Sequence, residues 1–140
     1  MERTFVMLKP DAVKKKVVGE VITRIERSGL NIVGMKIVQL NEKICREHYA
    51  HHADKPFFKS LVEFMCSAPV VCMVVEGENA VQLLRELAGP TDSKKAPKGT
   101  IRGDFGKDVQ ENIIHASDSK ETAEKEIRRF FKKNEIFSNY

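Results

Sequence analysis

The run Asn112-Ile113-Ile114-His115-Ala116-Ser117-Asp118-Ser119 sets one histidine between two apolar residues and a small, polar, acidic stretch. The apolar pair reads as the end of a buried strand, and the polar stretch as the start of a helix. An imidazole held there is fixed, which suits a nucleophile or a base better than a mobile surface histidine. Downstream, Ala123, Ile127, Phe130 and Phe131 form an apolar stripe, and Glu126 lies on its edge. A helix that starts directly after the His115 strand must fold back over the sheet, so Glu126 is a plausible partner for His115. A carboxylate on one ring nitrogen fixes the tautomer and leaves the other nitrogen to attack. Helix capping accounts for Asp118 or Ser119, with Glu121 close behind. It does not account for His115.

A second group of residues suits an anion. Arg102 lies among Gly99, Gly103 and Gly106, after Thr91 and after Arg85 near a helix end. Arginine offers a planar fork matched to phosphate oxygens, and glycines let backbone approach a ligand. Lys9-Pro10-Asp11 ends the first strand, where a lysine is well placed for an anion. Each has a plainer reading: a surface charge for Arg102, charge complementarity at a helix C-terminus for Arg85, an exposed edge lysine for Lys9. His48 and His52, at i and i+4, could face one way and bind a metal with Asp54. Without a cysteine pattern, solvated histidines at a helix end are the better reading. No P-loop and no G-x-G-x-x-G motif occurs in the sequence.

The elements that must position these residues follow from periodicity. Strands are expected at Thr4 to Lys9, Leu30 to Leu40 (with a bulge at Gly34), Val70 to Val75, and before His115. Val70 to Val75 is apolar without alternation, as in a strand covered on both faces. Helices are expected from Val18 to a stop at Ser28-Gly29, from Asn41 as cap to Ala50, from Pro56 to Pro69, from Asn79 to Ala88, and from Ser119 to about Lys133. The order predicts an α+β fold: a ferredoxin-like α/β sandwich, a four-stranded antiparallel sheet with helices packed on it.

With 140 residues the chain reads as a single domain over 1–140. Its net charge of +4 permits anionic partners without requiring them. Cys45, Cys66 and Cys72 are odd in number and lack C-x-x-C spacing, so they read as reduced thiols and point to a cytoplasmic location. Charges at Glu2, Arg3 and Lys9 leave no room for a signal sequence, and the apolar run from Ala68 to Val75 is too short to span a bilayer.

Over essentially its whole length the chain resembles the nucleoside diphosphate kinase family. The likeness rests on Asn112 through Ser119, which matches the pattern N-x-x-H-[GA]-S-D, on Glu2-Arg3-Thr4-Phe5, Lys9-Pro10-Asp11-Ala12, Lys55-Pro56-Phe57-Phe58, and Gly99-Thr100-Ile101-Arg102-Gly103-Asp104-Phe105. It implies ping-pong transfer of a γ-phosphate from a nucleoside triphosphate to a diphosphate, with Mg²⁺ held mainly by the nucleotide phosphates. It implies that His115 is phosphorylated on Nδ1, that Glu126 holds its other face, that Ser117 supports Glu126, and that Tyr49 lies next to His115. Phe57 would stack on the base with Val109 near it and Leu61 alongside. Lys9 and Asn112 would bind sugar hydroxyls and phosphates; Arg85, Thr91 and Arg102 would bind phosphates. A homo-oligomer, tetramer or hexamer, is implied. Thr91-Asp92-Ser93 departs from the usual Thr-Asn-Pro, and Pro97 stands one place earlier than usual, which bears on the loop before Gly99.

Two other readings compete. A basic four-stranded domain could bind single-stranded nucleic acid on aromatics of its sheet, with Phe5 and Phe105 as candidates. No RNP1-like sequence supports this, so nucleic acid is not expected. An inactive relative would bind nucleotide without exchanging phosphate, which intact His115 and Glu126 disfavour.

Overall fold

The computed structural model describes residues 1–138; the last two positions of the expected domain lie outside the described residues. Strand β1 spans Glu2–Leu8, and Pro10 does more than stop it: it opens the short helix α1, Pro10–Lys14. Helix α2, Val18–Arg27, turns Val21 and Ile25 inward and ends at Ser28. Strand β2, Asn31–Val38, carries the expected irregularity between Ile32 and Gly34. Asn41 caps helix α3, Glu42–His48, its side chain accepting from the Ile44 N–H at 2.9 Å.

Helix α4, Phe58–Met65, begins two residues after Pro56, which sits in the preceding turn instead of the first helical turn. Strand β3 is Val70–Gly77 and helix α5 is Ala80–Ala88. The segment after Gly99 forms helix α6, Ile101–Phe105, capped by the Thr100 hydroxyl, which accepts from the Gly103 N–H at 3.0 Å. Strand β4, Ile114–Ala116, leads into helix α7, Lys120–Phe130. Ser119, not Asp118, caps α7, accepting from the Thr122 N–H at 3.1 Å.

The sheet is antiparallel throughout, in the order β2-β3-β1-β4. β3 lies between β1 and β2, and β1 lies between β3 and β4, so both crossovers are split β-α-β units. This is the ferredoxin-like sandwich. Both sheet faces are covered. Val6 and Leu8 pack with Val71, Met73, Val75, Val21, Ile25 and Leu84. The alternate residues Phe5 and Met7 pack on the other face with Cys72, Val74, Met65, Ile127 and Phe130. β3 is buried along its whole length, as its apolar run implies. Phe5 is wholly buried, which removes the sheet surface a nucleic-acid reading needs. Among the described residues, no helix is long and apolar enough to cross a membrane.

Gly103 and Gly106 serve the chain's packing on itself. A Cβ at Gly103 would overlap the Pro97 carbonyl, and one at Gly106 would overlap the Ser93 hydroxyl. The expectation that these two glycines open the backbone to a ligand is therefore not met.

Phe130 anchors α7 to the sheet, its ring stacked on Phe5 with centroids 5.0 Å apart. Phe130→Ala is expected to cost about 3–5 kcal/mol in chemical denaturation. Lys125→Ala, on the exposed side of the same helix, should stay within about 0.5 kcal/mol of the wild type. Equal effects of the two would contradict this packing.

Candidate functional site

The pleat decides where His115 points. β4 pairs with β1 so that Met7 faces His115, while Ile114 and Ala116 oppose Leu8 and Val6. Ile114 and Ala116 therefore join the α2–α5 side of the core, and His115 projects to the side of α7. There its Nε2 meets Glu126 Oε2 at 2.8 Å. The Ser117 hydroxyl donates to the other oxygen, Oε1, at 2.6 Å.

Glu126 is 5 % exposed, fully inside rather than at the stripe's edge. Burial pushes its carboxyl up, but the His115 bond and charge, with Ser117, outweigh that and hold it below its usual range. An ionised carboxylate only accepts, so Nε2 carries the proton and Nδ1 keeps its lone pair. The ring that bears it lines the cleft.

Directly before β4 the backbone is strained. Ile113, a β-branched residue, has φ +73°, and the Ile114 N–H bonds the Asn112 carbonyl at 2.8 Å, spanning two residues. Such a turn is rare and costs on the order of 1–3 kcal/mol. It is held from the β1–α1 junction: Asp11 Oδ2 accepts from the Ile113 N–H at 2.9 Å, and the Lys9 N–H donates to the Ile113 carbonyl at 2.8 Å.

Lys9 is not an exposed edge residue. It is buried, and its ammonium donates to the Asn112 Oδ1 at 2.8 Å and the Gln110 carbonyl at 2.7 Å. Asn112 in turn donates to the Thr91 carbonyl at 2.9 Å. Burial lowers the Lys9 pKa from 10.5 to about 8, despite support from Asp11. Arg102 is not a loose surface charge either. It donates to the carbonyls of Gly89 and Ile114 at 2.8 and 2.7 Å, and its Nε has no partner among the described residues. Burial, and then the neighbouring Arg85, lower its pKa to about 10. Arg85 and Thr91 stand exposed at the rim.

These side chains converge on one cleft of about 520 Å³. Lys9, Tyr49, Phe57, Leu61, Arg85, Thr91, Arg102, Val109, Asn112, His115 and Glu126 all line it; Ser117 stands behind Glu126. Phe57 and Val109 are large apolar side chains left 43 % and 57 % exposed at this cleft. Its cationic part holds Lys9, Arg85 and Arg102.

The sequence reading missed His48. It is 6 % exposed, not solvated, and its ring lies 4.8 Å from that of His115. The i, i+3 spacing of buried Cys45 and His48 on α3 was the available signal. α3 ends at His48, so His52 lies on a separate short turn and the two do not share a helix face. The Arg129 guanidinium must donate to His48 Nδ1, 3.0 Å away, which leaves the proton on Nε2. Burial, with His115, Arg129 and His51 opposing charge, lowers its pKa to about 3 against the pull of Glu126, so His48 stays neutral in the working range.

A split β-α-β sandwich with a carboxylate-held histidine in a cleft lined by cationic side chains defines an α+β enzyme of ferredoxin-like architecture. The family profile "Nucleoside diphosphate kinase" matches residues 2–136. A nucleoside diphosphate kinase of Pyrococcus abyssi is 53 % identical over 97 % of this chain and 87 % of its own length. One of Archaeoglobus fulgidus is 55 % identical over 97 % of this chain and 90 % of its own length. The structure of a halophilic nucleoside diphosphate kinase from Halobacterium salinarum in complex with CDP superposes with a TM-score of 0.96 at 47 % identity, covering 99 % of this chain and 93 % of that one. The chain belongs to the nucleoside diphosphate kinase family, and is thus an enzyme of the transferase class.

The Lys9 environment has a measurable consequence. The folded protein sheds this proton near pH 8, the unfolded chain near 10.5. Between the two the unfolded state binds more protons, so this group makes stability rise with pH. The difference in unfolding free energy between wild type and Lys9→Met is expected to shift in favour of the wild type from pH 8 to 10. A pH-independent difference would contradict the burial of a titrating Lys9.

Proposed function

We propose that this protein moves a γ-phosphate from a nucleoside triphosphate to a nucleoside diphosphate by a ping-pong route through phosphohistidine on Nδ1 of His115. The observation that carries this is the 2.8 Å bond between His115 Nε2 and Glu126 Oε2, which makes Nδ1 the free nucleophile. In the first half-reaction the Nδ1 lone pair attacks the γ-phosphorus and an N–P bond forms. The P–O bond to the β-phosphate breaks, and the diphosphate leaves with that electron pair. In the second half a terminal oxygen of the acceptor diphosphate attacks phosphorus, and the N–P electrons return to Nδ1. As Nδ1 gains the phosphoryl group, positive character builds on the ring, and ionised Glu126 offsets it. Ser117 keeps Glu126 turned toward His115, and Tyr49 packs beside the paired imidazoles, its ring 4.7 Å from that of His48.

The other cleft residues divide by chemistry. Arg85, Arg102 and Thr91 take phosphate oxygens, and Lys9 with Asn112 takes the sugar hydroxyls and phosphates. Phe57 stacks on the base, with Val109 near it and Leu61 beneath. A π-face is common to every base, so low base specificity follows.

Mg²⁺ supplies charge neutralisation on the transferring phosphates. His48, His115 and Glu126 form a three-residue donor cluster, but two imidazoles and a carboxylate already bonded on both oxygens do not suit an ion that prefers octahedral oxygen ligands. We place the ion on the nucleotide phosphates. Three free thiols fit a reducing compartment, and we place the protein in the cytoplasm.

We propose further that the protein is a homo-oligomer, tetramer or hexamer. β2 is an edge strand, and its Met35 and Ile37 are 53 % and 74 % exposed, which fits pairing with a second copy. Sedimentation should give an oligomer that Ile37→Lys weakens; a wild-type monomer at micromolar concentration would exclude it.

Brief exposure to γ-labelled ATP and Mg²⁺ should label the protein with an acid-labile, base-stable phosphate, which an unlike diphosphate then removes. His115→Ala should lose labelling entirely. Label that survives in that variant would sink the proposal.

A further inference from the structure

We propose that Asp11 is a positioning residue for the phosphoryl transfer: its carboxylate holds the strained Asn112–Ile114 turn that aims His115 and Asn112. The inference rests on His115 being the phosphoryl acceptor.

Asp11 is 3 % exposed and sits in the first turn of α1. Its Oδ2 leaves that helix to accept from the N–H of Ile113 at 2.9 Å, a residue 102 positions away. Favourable charge at a helix start does not explain such a reach, because any exposed orientation would satisfy it. Its other oxygen, Oδ1, is buried with no side-chain or backbone partner from another of the described residues. Keeping a carboxylate in the interior is costly, so the long-range bond it makes to Ile113 has to matter.

What it holds is the φ +73° conformation of Ile113, which a β-branched residue does not keep unaided. On either side of that residue stand groups of the cleft. Asn112 precedes it and links Lys9 to the Thr91 carbonyl. Ile114 follows it, its carbonyl accepting from Arg102, and His115 comes next. If Ile113 relaxes to negative φ, the peptide planes on both sides rotate, and His115 leaves its register opposite Met7. The contacts to Arg102, Lys9 and Glu126 would go with it.

Asp11 also faces Lys9 as an anion, together with Asp108 and Glu111, while Arg102 opposes the Lys9 charge and Lys15 faces Asp11. The two effects separate in two variants. Asp11→Asn keeps an acceptor for the Ile113 N–H but removes the charge. Asp11→Ala removes both.

The experiment is single-turnover labelling of the full chain with saturating γ-labelled ATP and Mg²⁺, followed by kcat/KM against pH. The labelled amplitude counts folded sites; the rate constant reads positioning. Asp11→Ala is expected to slow labelling about 100-fold at unchanged amplitude per folded chain, the loss typical of a misplaced reacting group. Asp11→Asn should recover at least about tenfold of that loss. The alkaline fall in kcat/KM, set by Lys9 near pH 8, should move to lower pH in Asp11→Asn. A wild-type rate constant in Asp11→Ala overturns the proposal. Where Asp11→Ala does not fold, Asp11→Glu decides, because it keeps the charge but displaces the acceptor: a wild-type labelling rate constant overturns the proposal, and a slowed one at unchanged amplitude supports it. An unlabelled wild type would instead overturn the reading of His115 itself.

Discussion

The buried bond between His115 and Glu126 joins the last strand to the last helix, and most of the structure serves to make it possible. The histidine can reach the carboxylate only because the β1–β4 register turns residue 115 toward α7 while its neighbours face the other core. The carboxylate can wait there ionised only because both its oxygens are satisfied, one by the imidazole and one by Ser117. α7 keeps its place through the Ser119 cap at its start and the Phe130–Phe5 stack near its end. A one-residue slip in β4 would put Ile114 or Ala116 at the site and bury the imidazole in an apolar core.

The same economy governs the cations. Lys9 and Arg102 are drawn into the protein and bound to backbone carbonyls, so each is held in place before any anion arrives. Burial makes these cations less favourable than in water, as their lowered pKa values record. Fixed charges in surroundings less polarisable than water attract an anion more strongly than the same charges would in water. Arg85 and Thr91, by contrast, remain exposed at the rim of the cleft.

The amino-acid pattern carried the fold and much of the site, and the residues it misjudged share a cause. Val70 to Val75 announced a strand covered on both faces, and it is one. The i+3 and i−4 spacing of Glu126 placed it near the apolar stripe and so near His115. Lys9 and Arg102 read as surface charges in one alternative because charge alone predicts exposure; their burial comes from partners 101 to 103 residues away for Lys9 and 12 to 13 for Arg102, which local periodicity does not reveal. His48 was misread for the same reason, since the Arg129 that satisfies it lies 81 residues on. Gly103 and Gly106 were credited to a ligand because a glycine's openness is visible in sequence, while the Pro97 and Ser93 atoms that demand it are not.

His48 shows how a neighbour can leave the carboxylate of Glu126 to a single imidazole. Two imidazoles stand within 4.8 Å of each other beside one carboxylate. Were both able to take a proton, Glu126 would be shared, and its grip on His115 would vary with pH. The Arg129 donor forecloses that by occupying Nδ1 of His48, and burial keeps the ring neutral. Glu126 Oε2 is then 3.8 Å from His48 and 2.8 Å from His115, a difference that assigns the hydrogen bond to His115 alone. Glu126 is thereby left to His115, whose Nε2 proton it fixes.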